Sequence, residues 1–180
     1  MTTVEQDIAY ATKIFKDHEI RRRTEDKALL QRSNDGAYWT EIVRGERGTL
    51  IIHGDGPDLM FRNWHTAPLE TLAAWVAEGG FPYLSTKVAC GTGLIYDGDL
   101  AKVHLREHLL EEPDSEAKEL LGLDLWGGHQ EHEMIAELSD IFPDSWEWKL
   151  GYRPSWNLIA AQAACKKLIE LWKCDALPEV

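Results

Sequence analysis

The chain has little cysteine, and the cysteines it has show neither metal-binding nor disulfide spacing. Cys90, Cys165 and Cys174 are odd in number and form no Cys-x-x-Cys pair. A disulfide framework or a zinc ribbon needs paired or closely spaced cysteines. The sequence therefore predicts reduced thiols in a cytosolic compartment.

Long apolar runs are also missing. No run approaches the ~18 residues that a membrane-spanning helix needs, and the first residues, MTTVEQDIAYATK, are polar and acidic rather than signal-like. A length of 180 residues with 44% hydrophobic residues suits one globular domain with its own core. We therefore expect a single compact domain over 1–180, located in the cytoplasm, with no membrane partner.

Motifs that mark several common enzyme classes are absent. The chain has no Gly-x-Ser-x-Gly, so the His-Gly-Asp-Gly stretch at 53–56 has no partner nucleophile for a role as an oxyanion loop. It has no phosphate-binding Gly-x-x-x-x-Gly-Lys-Ser/Thr loop, and the glycines at 91–93 lack dinucleotide-binding spacing. Cys90 has the residue type of a nucleophile, but the sequence gives it no partner histidine. These absences favour a non-enzymatic protein without a cofactor.

Histidines provide the alternative, a small metal-dependent enzyme. His104 and His108 lie in a His-x-x-Glu-His pattern, which on a helix places both rings on one face. His129 and His132 form a second cluster, and the four could ligate one metal if the two segments meet. The chain is too short for the protease fold that this motif usually serves, so a coincidence on a polar helix face is the competing interpretation.

The imbalance of charge lies in one segment. From 107 to 147 the chain has thirteen acidic residues and one basic residue, whereas the remainder has eighteen of each sign. The net charge of −12 therefore belongs to this acidic segment. It indicates either a solvated, self-repelling region or a surface that meets a basic partner. The chain offers no basic stripe, which argues against direct binding of nucleic acid.

The acidic segment has the composition of a nucleic-acid mimic. Spaced carboxylates can imitate the phosphates that a nucleic-acid-binding protein contacts, and interleaved tryptophans can supply apolar anchors. The candidate partner-binding residues are Glu111, Glu112, Asp114, Glu116, Glu119, Asp124, Trp126, Glu131, Glu133, Glu137, Asp140, Asp144, Trp146 and Trp148.

Periodicity predicts an α+β fold. Thr3 and Gln6 form a capping box for a first helix. Its pattern continues to Leu29 and Leu30, either unbroken or with a break near Arg21–Arg23, and these arginines are a solvated helix face. Residues from about 38 to 64 alternate as a three-stranded antiparallel meander with Asp55-Gly56 as a type I′ turn. Five further helices are predicted: after Pro68, at 82–89, from Asp97 or Asp99 to Leu110, at about 130–142 and at 155–173. Residues 94–96 are predicted to form a short strand or a loop. The meander is expected to pack against these helices.

Several short elements occur in a recognisable order. They are the strand–turn–strand around Gly54-Asp55, then Tyr83-Leu84 with Lys87, then Asp97 and Asp99 at a helix start, and Trp156 at the head of the last helix. In this order they resemble a group of uncharacterised proteins encoded by tailed phages and prophages. The resemblance implies an accessory protein that acts in a bacterial cytoplasm.

These observations combine into one leading hypothesis. The chain is expected to be a phage-encoded, non-enzymatic protein that binds and inhibits a host nucleic-acid-handling defence complex, as an anti-CRISPR or anti-restriction protein does. Its partner is expected to be a basic host protein or a ribonucleoprotein. The metal-dependent enzyme and a virion assembly factor remain the alternatives.

Overall fold

A computed structural model describes residues 3–33, 38–63, 65–111, 136, 139 and 150–175. Contacts group the chain into two compact units, Met1–Gly93 with Pro154–Val180, and Leu94–Arg153. The predicted α+β class is confirmed, whereas a single domain over 1–180 stays a prediction. No helix in the described part of the chain has the length and apolarity needed to cross a membrane.

The first unit contains a sheet, four α-helices and a 3-10 turn at Glu46–Gly48 among its described residues. The helices are α1 Val4–Phe15, α2 Leu69–Glu78, α3 Phe81–Ser85 and α5 Trp156–Asp175, and the strands are β1 His18–Arg23, β2 Lys27–Arg32, β3 Thr40–Arg44, β4 Thr49–Gly54, β5 Leu59–Arg62 and β6 Val88–Cys90. The second unit contains β7 Leu94–Tyr96, α4 Gly98–Glu111 and most of β8 Tyr152–Pro154.

The six strands β1 to β6 form one antiparallel sheet in chain order. Alternate residues face the core, as the two-residue period of a strand requires. In β4, Leu50 and Ile52 are fully buried, whereas Ile51 and His53 are only half-buried. The same alternation in β2, β3 and β5 gives the sheet one buried and one half-exposed face.

Helices α2 and α5 cover the buried face of the sheet. They pack against each other, and α5 also packs against α1. Gln162 of α5 connects the two layers, because its Nε2 donates to the carbonyl oxygens of Gly79 at 2.6 Å and of Val76 at 3.4 Å. These carbonyls at the end of α2 have no intrahelical donor, so the buried glutamine supplies what the helix end lacks.

The start of the first helix is confirmed, but its predicted continuation is wrong. Thr3 and Gln6 form the capping box, yet α1 ends at Phe15 and the chain enters β1 and β2. The arginines at 21–23 therefore lie in an edge strand and not on a helix face. Arg23 places its guanidinium 4.8 Å from the ring centre of Trp172, and charge on an edge strand discourages pairing with other chains.

The predicted three-stranded meander is narrower than the sheet. Its three strands correspond to β3, β4 and β5, but β1, β2 and β6 extend the sheet on both sides. The helix predicted at 82–89 ends at Ser85, after which Val88–Cys90 pairs with β5. Of the helix predicted at about 130–142, Ala136 and Ser139 are described, and both are helical.

Two later helix starts are confirmed by their caps. Asp97 Oδ1 accepts a hydrogen bond from the backbone N–H of Leu100 at 3.2 Å at the start of α4. Ser155 Oγ accepts from the N–H of Leu158 at 3.1 Å at the start of α5. Such caps satisfy amide groups that the first helical turn leaves unpaired.

His18 is a buried titratable group in this core. It is 1% exposed, and its Nε2 donates to the carbonyl oxygen of Tyr38. Burial lowers the pKa of His18 below its ordinary value. The hydrogen bond to Tyr38 partly offsets this lowering of the pKa, whereas the positive charges of Arg32 and Lys167 lower the pKa further. The folded protein thus holds this histidine neutral at a pH where the unfolded chain begins to protonate it.

We therefore expect acid to destabilise the fold through His18. As pH falls through about 6.5, the unfolded chain gains a proton that the folded chain does not, so the free energy of unfolding decreases. Urea unfolding at about pH 7.5 and about pH 5.5 measures the change. His18→Gln retains an Nε2 donor but cannot titrate, so its loss of stability on acidification should be smaller. Equal losses in the variant and the wild type would contradict the assignment.

Candidate functional site

The His-Gly-Asp-Gly stretch connects β4 to β5. β4 ends at Gly54 and β5 begins at Leu59, so the connection is longer than a two-residue hairpin turn. A positive φ of 148° occurs at Gly54, and neither Asp55 nor Gly56 has one. The predicted type I′ turn at Asp55-Gly56 is therefore wrong, because that turn needs positive φ at both central residues.

The turn is organised around Trp39 at the start of β3. The backbone N–H of Asp55 donates to the carbonyl oxygen of Trp39 at 3.0 Å, and the N–H of Trp39 donates to Asp55 Oδ2 at 3.3 Å. The Trp39 ring meets the His53 ring edge-on, with centroids 5.5 Å apart. His53 Nε2 also lies 3.1 Å from Glu41 Oε2 across the ladder. The polar groups and the ring of the His-Gly-Asp-Gly stretch are thus engaged by residues at and beside β3, namely Trp39 and Glu41.

Beside this turn lies a cavity of about 200 Å³, which we call the aromatic pocket. α1, the start of β3, the β4–β5 turn and α5 each contribute to its walls. The lining residues that matter below are Tyr10, Phe15, Tyr38, Thr40, Asp55 and Trp156. Four of the nine described lining residues are aromatic, and the acidic residue Asp55 of the turn is another.

Aromatic side chains are unusually exposed around the aromatic pocket. Tyr10 is 58% exposed, Tyr38 43% and Trp39 37%, and the Tyr10 and Trp156 ring centroids are 5.6 Å apart. Tyr38 also adopts a left-handed backbone conformation, with φ of 54°. Exposed aromatic clusters and unfavourable backbone angles both concentrate at functional sites. Together they make this pocket the candidate site in the described residues.

The partner-binding residues predicted from the sequence are not part of this pocket. Glu111 is the last residue of α4, and the others, from Glu112 to Trp148, lie outside the described residues. Their role in binding a partner stays a prediction.

The predicted histidine cluster is described in part. His104 is half-buried in α4, and its Nδ1 accepts a hydrogen bond from the backbone N–H of Gly151 at 3.3 Å. An accepting Nδ1 leaves the proton of a neutral imidazole on Nε2, so neither nitrogen offers a free lone pair to a metal. His108 belongs to α4, and His129 and His132 lie outside the described residues. Among the residues that the structure describes, no group of three or more metal-ligating side chains occurs.

Cys90, the other chemical candidate, lies exposed on β6 opposite Met60 of β5. An apolar register partner does not provide the base that a cysteine nucleophile needs. Cys165 is buried in the core, where burial raises the pKa of its thiol.

Sequence reasoning missed the aromatic pocket. Tyr10 and Trp156 belong to helices at opposite ends of the chain, and only the packing of α1 against α5 brings them together. The abundance of tryptophan was the available signal, but in a sequence most aromatic residues are read as core. Comparison with protein-family models, with curated proteins and with solved structures finds no match to the chain.

Proposed function

We propose that the chain is a non-enzymatic, phage-encoded protein that inhibits a host nucleic-acid-handling defence complex through the acidic segment 107–147. The observation that carries this proposal is the segregation of charge. The segment has a net charge of −12, while the rest of the chain is neutral. Negative charge that serves solubility alone can be distributed over the whole protein and does not need to be concentrated in one segment.

The mechanism is electrostatic competition in a bacterial cytoplasm. A basic channel that normally holds nucleic acid attracts the carboxylates of the acidic segment, which speeds encounter and favours this kind of partner. Trp126, Trp146 and Trp148 then contribute apolar contacts, since buried aromatic residues carry much of the energy of protein interfaces. The partner is accordingly a basic protein or a ribonucleoprotein, and no cofactor takes part.

The metal-dependent enzyme has less support. The hydrogen bond that His104 Nδ1 accepts from Gly151 removes the first ligand of the proposed set in the neutral tautomer. Metal analysis of untagged protein separates the two functions, because stoichiometric zinc, iron or manganese would favour the enzyme. No specific observation favours the virion assembly factor.

A salt-dependent capture experiment tests the proposed function. The full-length protein should retain a basic or nucleic-acid-binding partner from bacterial host lysate at low salt. The measured affinity for that partner should fall at least about tenfold between about 50 and 200 mM salt, because the contacts replace those to phosphates. Added duplex or guide RNA should displace the protein from the same partner.

Matched charge variants locate the binding surface. Changing Glu131, Glu133, Glu137 and Asp140 to the corresponding amides should weaken capture at least about tenfold. The control changes an equal number of exposed acids in the first unit, and should bind as the wild type does. Its substitutions are Glu46→Gln, Asp58→Asn, Glu70→Gln and Glu78→Gln. Absence of any basic partner at low salt, or equal loss in both variants, would refute the proposal.

A further inference from the structure

The aromatic pocket has the size of a small headgroup. Its volume of about 200 Å³ lies below the ~300–1,000 Å³ typical of sites for drug-sized molecules and cofactors. Its walls come from four separate elements, so the pocket is a product of the tertiary fold and not of one flexible loop. A compact group of a few heavy atoms fits this volume.

The chemistry of the walls favours a cation. Tyr10, Tyr38 and Trp156 line the cavity, and aromatic ring faces attract positive charge. The guanidinium carbon of Arg32, which does not line the cavity, lies 4.7 Å from the ring centre of Tyr38, so one face of that ring already meets a cation. Asp55 adds a carboxylate, and no lysine or arginine is among the described residues that line the cavity.

The polar groups of the walls favour a cation without N–H donors. A primary ammonium needs acceptors for three N–H groups, and burying unpaired donors is costly. Asp55 Oδ2 already accepts from the backbone N–H of Trp39, and Thr40 is 1% exposed. A quaternary ammonium carries the charge with methyl groups on its surface, and so suits a wall of rings with one carboxylate.

We propose that the aromatic pocket binds a small quaternary ammonium compound. The rings of Tyr10, Tyr38 and Trp156 contact its methyl groups, and the Asp55 carboxylate balances its charge. This ligand site goes beyond the proposed function and does not depend on the acidic segment, since all of the lining residues belong to the first unit.

Isothermal titration calorimetry of the full-length protein tests the proposal with choline. 3,3-Dimethylbutan-1-ol has the same shape without the charge, so it measures the contribution of shape alone. Choline should bind at least about fivefold more tightly than this neutral analogue, the difference expected of cation–π contacts to partly exposed rings together with one carboxylate. Tetramethylammonium should likewise bind more tightly than methylammonium, which retains three N–H donors.

Variants with matched controls assign the binding to the pocket. Tyr10→Ala and Asp55→Asn should each weaken choline binding about fivefold or more. Tyr83→Ala removes another tyrosine that is 48% exposed, and Asp58→Asn neutralises an exposed acid in the same turn; both should bind as the wild type does. Circular dichroism checks that every variant is folded.

Three outcomes would overturn the proposal. They are no detectable binding of choline or tetramethylammonium by the folded wild type, equal binding of choline and its neutral analogue, and full binding by folded Tyr10→Ala and Asp55→Asn. Loss of partner capture by the acidic segment has no bearing on these results, so this proposal and the proposed function fail separately.

Discussion

Replacing Gly54 by alanine should destabilise the protein by about 3 kcal/mol or more. Gly54 has φ of 148°, in a region that residues with a side chain rarely adopt. A Cβ there would lie 2.2 Å from the carbonyl oxygen of Trp39 and 2.9 Å from the Cα of Thr40. Both atoms belong to the backbone at the start of β3, so the neighbouring strand would have to move. Urea unfolding followed by circular dichroism measures the loss.

Gly56→Ala is the matched control, two residues along the same turn. A Cβ at Gly56 meets nothing within 4 Å, and Gly56 has no positive φ. Its unfolding free energy should change by no more than about 0.5 kcal/mol, or rise slightly because alanine restricts the unfolded chain. Equal effects of the two substitutions would show that close contact with β3 does not explain the glycine at 54.

The parts of the fold that could be predicted carry local signals. The capping box of Thr3 and Gln6, the Asp97 cap and the Ser155 cap each depend on residues within one helical turn. The strand at 49–54 contains the β-branched residues Ile51 and Ile52, and such residues are enriched in strands. Such features need no distant partner, so the sequence contains them in full.

The strands that were missed depend on distant partners. In β1, Ile20 is the one apolar residue, and Glu19, Arg21, Arg22 and Arg23 are all exposed, so the alternation of polar and apolar residues is too short to mark a strand in the sequence. Its place in the sheet is set by pairing with β2 and by the burial of His18 under α1. In the sequence alone, the apolar residues of 27–30 continue the spacing of the preceding helix equally well.

The aromatic pocket could not be predicted for the same reason. The His-Gly-Asp-Gly stretch marks a turn, but its role depends on the backbone of Trp39 and on rings contributed by α1 and α5. Periodicity places Tyr10 and Trp156 on amphipathic helices without saying which helices meet. The acidic segment shows the opposite case, because its charge is visible in the sequence while its residues from Glu112 to Trp148 lie outside the described structure.

Phe61→Ala should cost about 3–5 kcal/mol of unfolding free energy, the range found for large aromatic residues in well-packed cores. Phe61 is fully buried in β5, and its ring meets the Trp75 ring of α2 edge-on, with centroids 6.2 Å apart. The substitution removes this contact between the sheet and α2 and leaves a cavity in the core.

Met60→Ala is the control for Phe61→Ala because it changes the neighbouring residue on the opposite face of the same strand. Met60 is half-buried and pairs in register with Ile51 and Cys90, so its truncation should cost about 1 kcal/mol. Urea unfolding of both variants at neutral pH gives the two values under one set of conditions. Equal costs for the two variants, or a larger cost for Met60→Ala, would contradict the assignment of the Phe61 face as the core face of the sheet. A large excess for Phe61→Ala would establish that α2 and α5 cover the face on which the stability of the first unit depends.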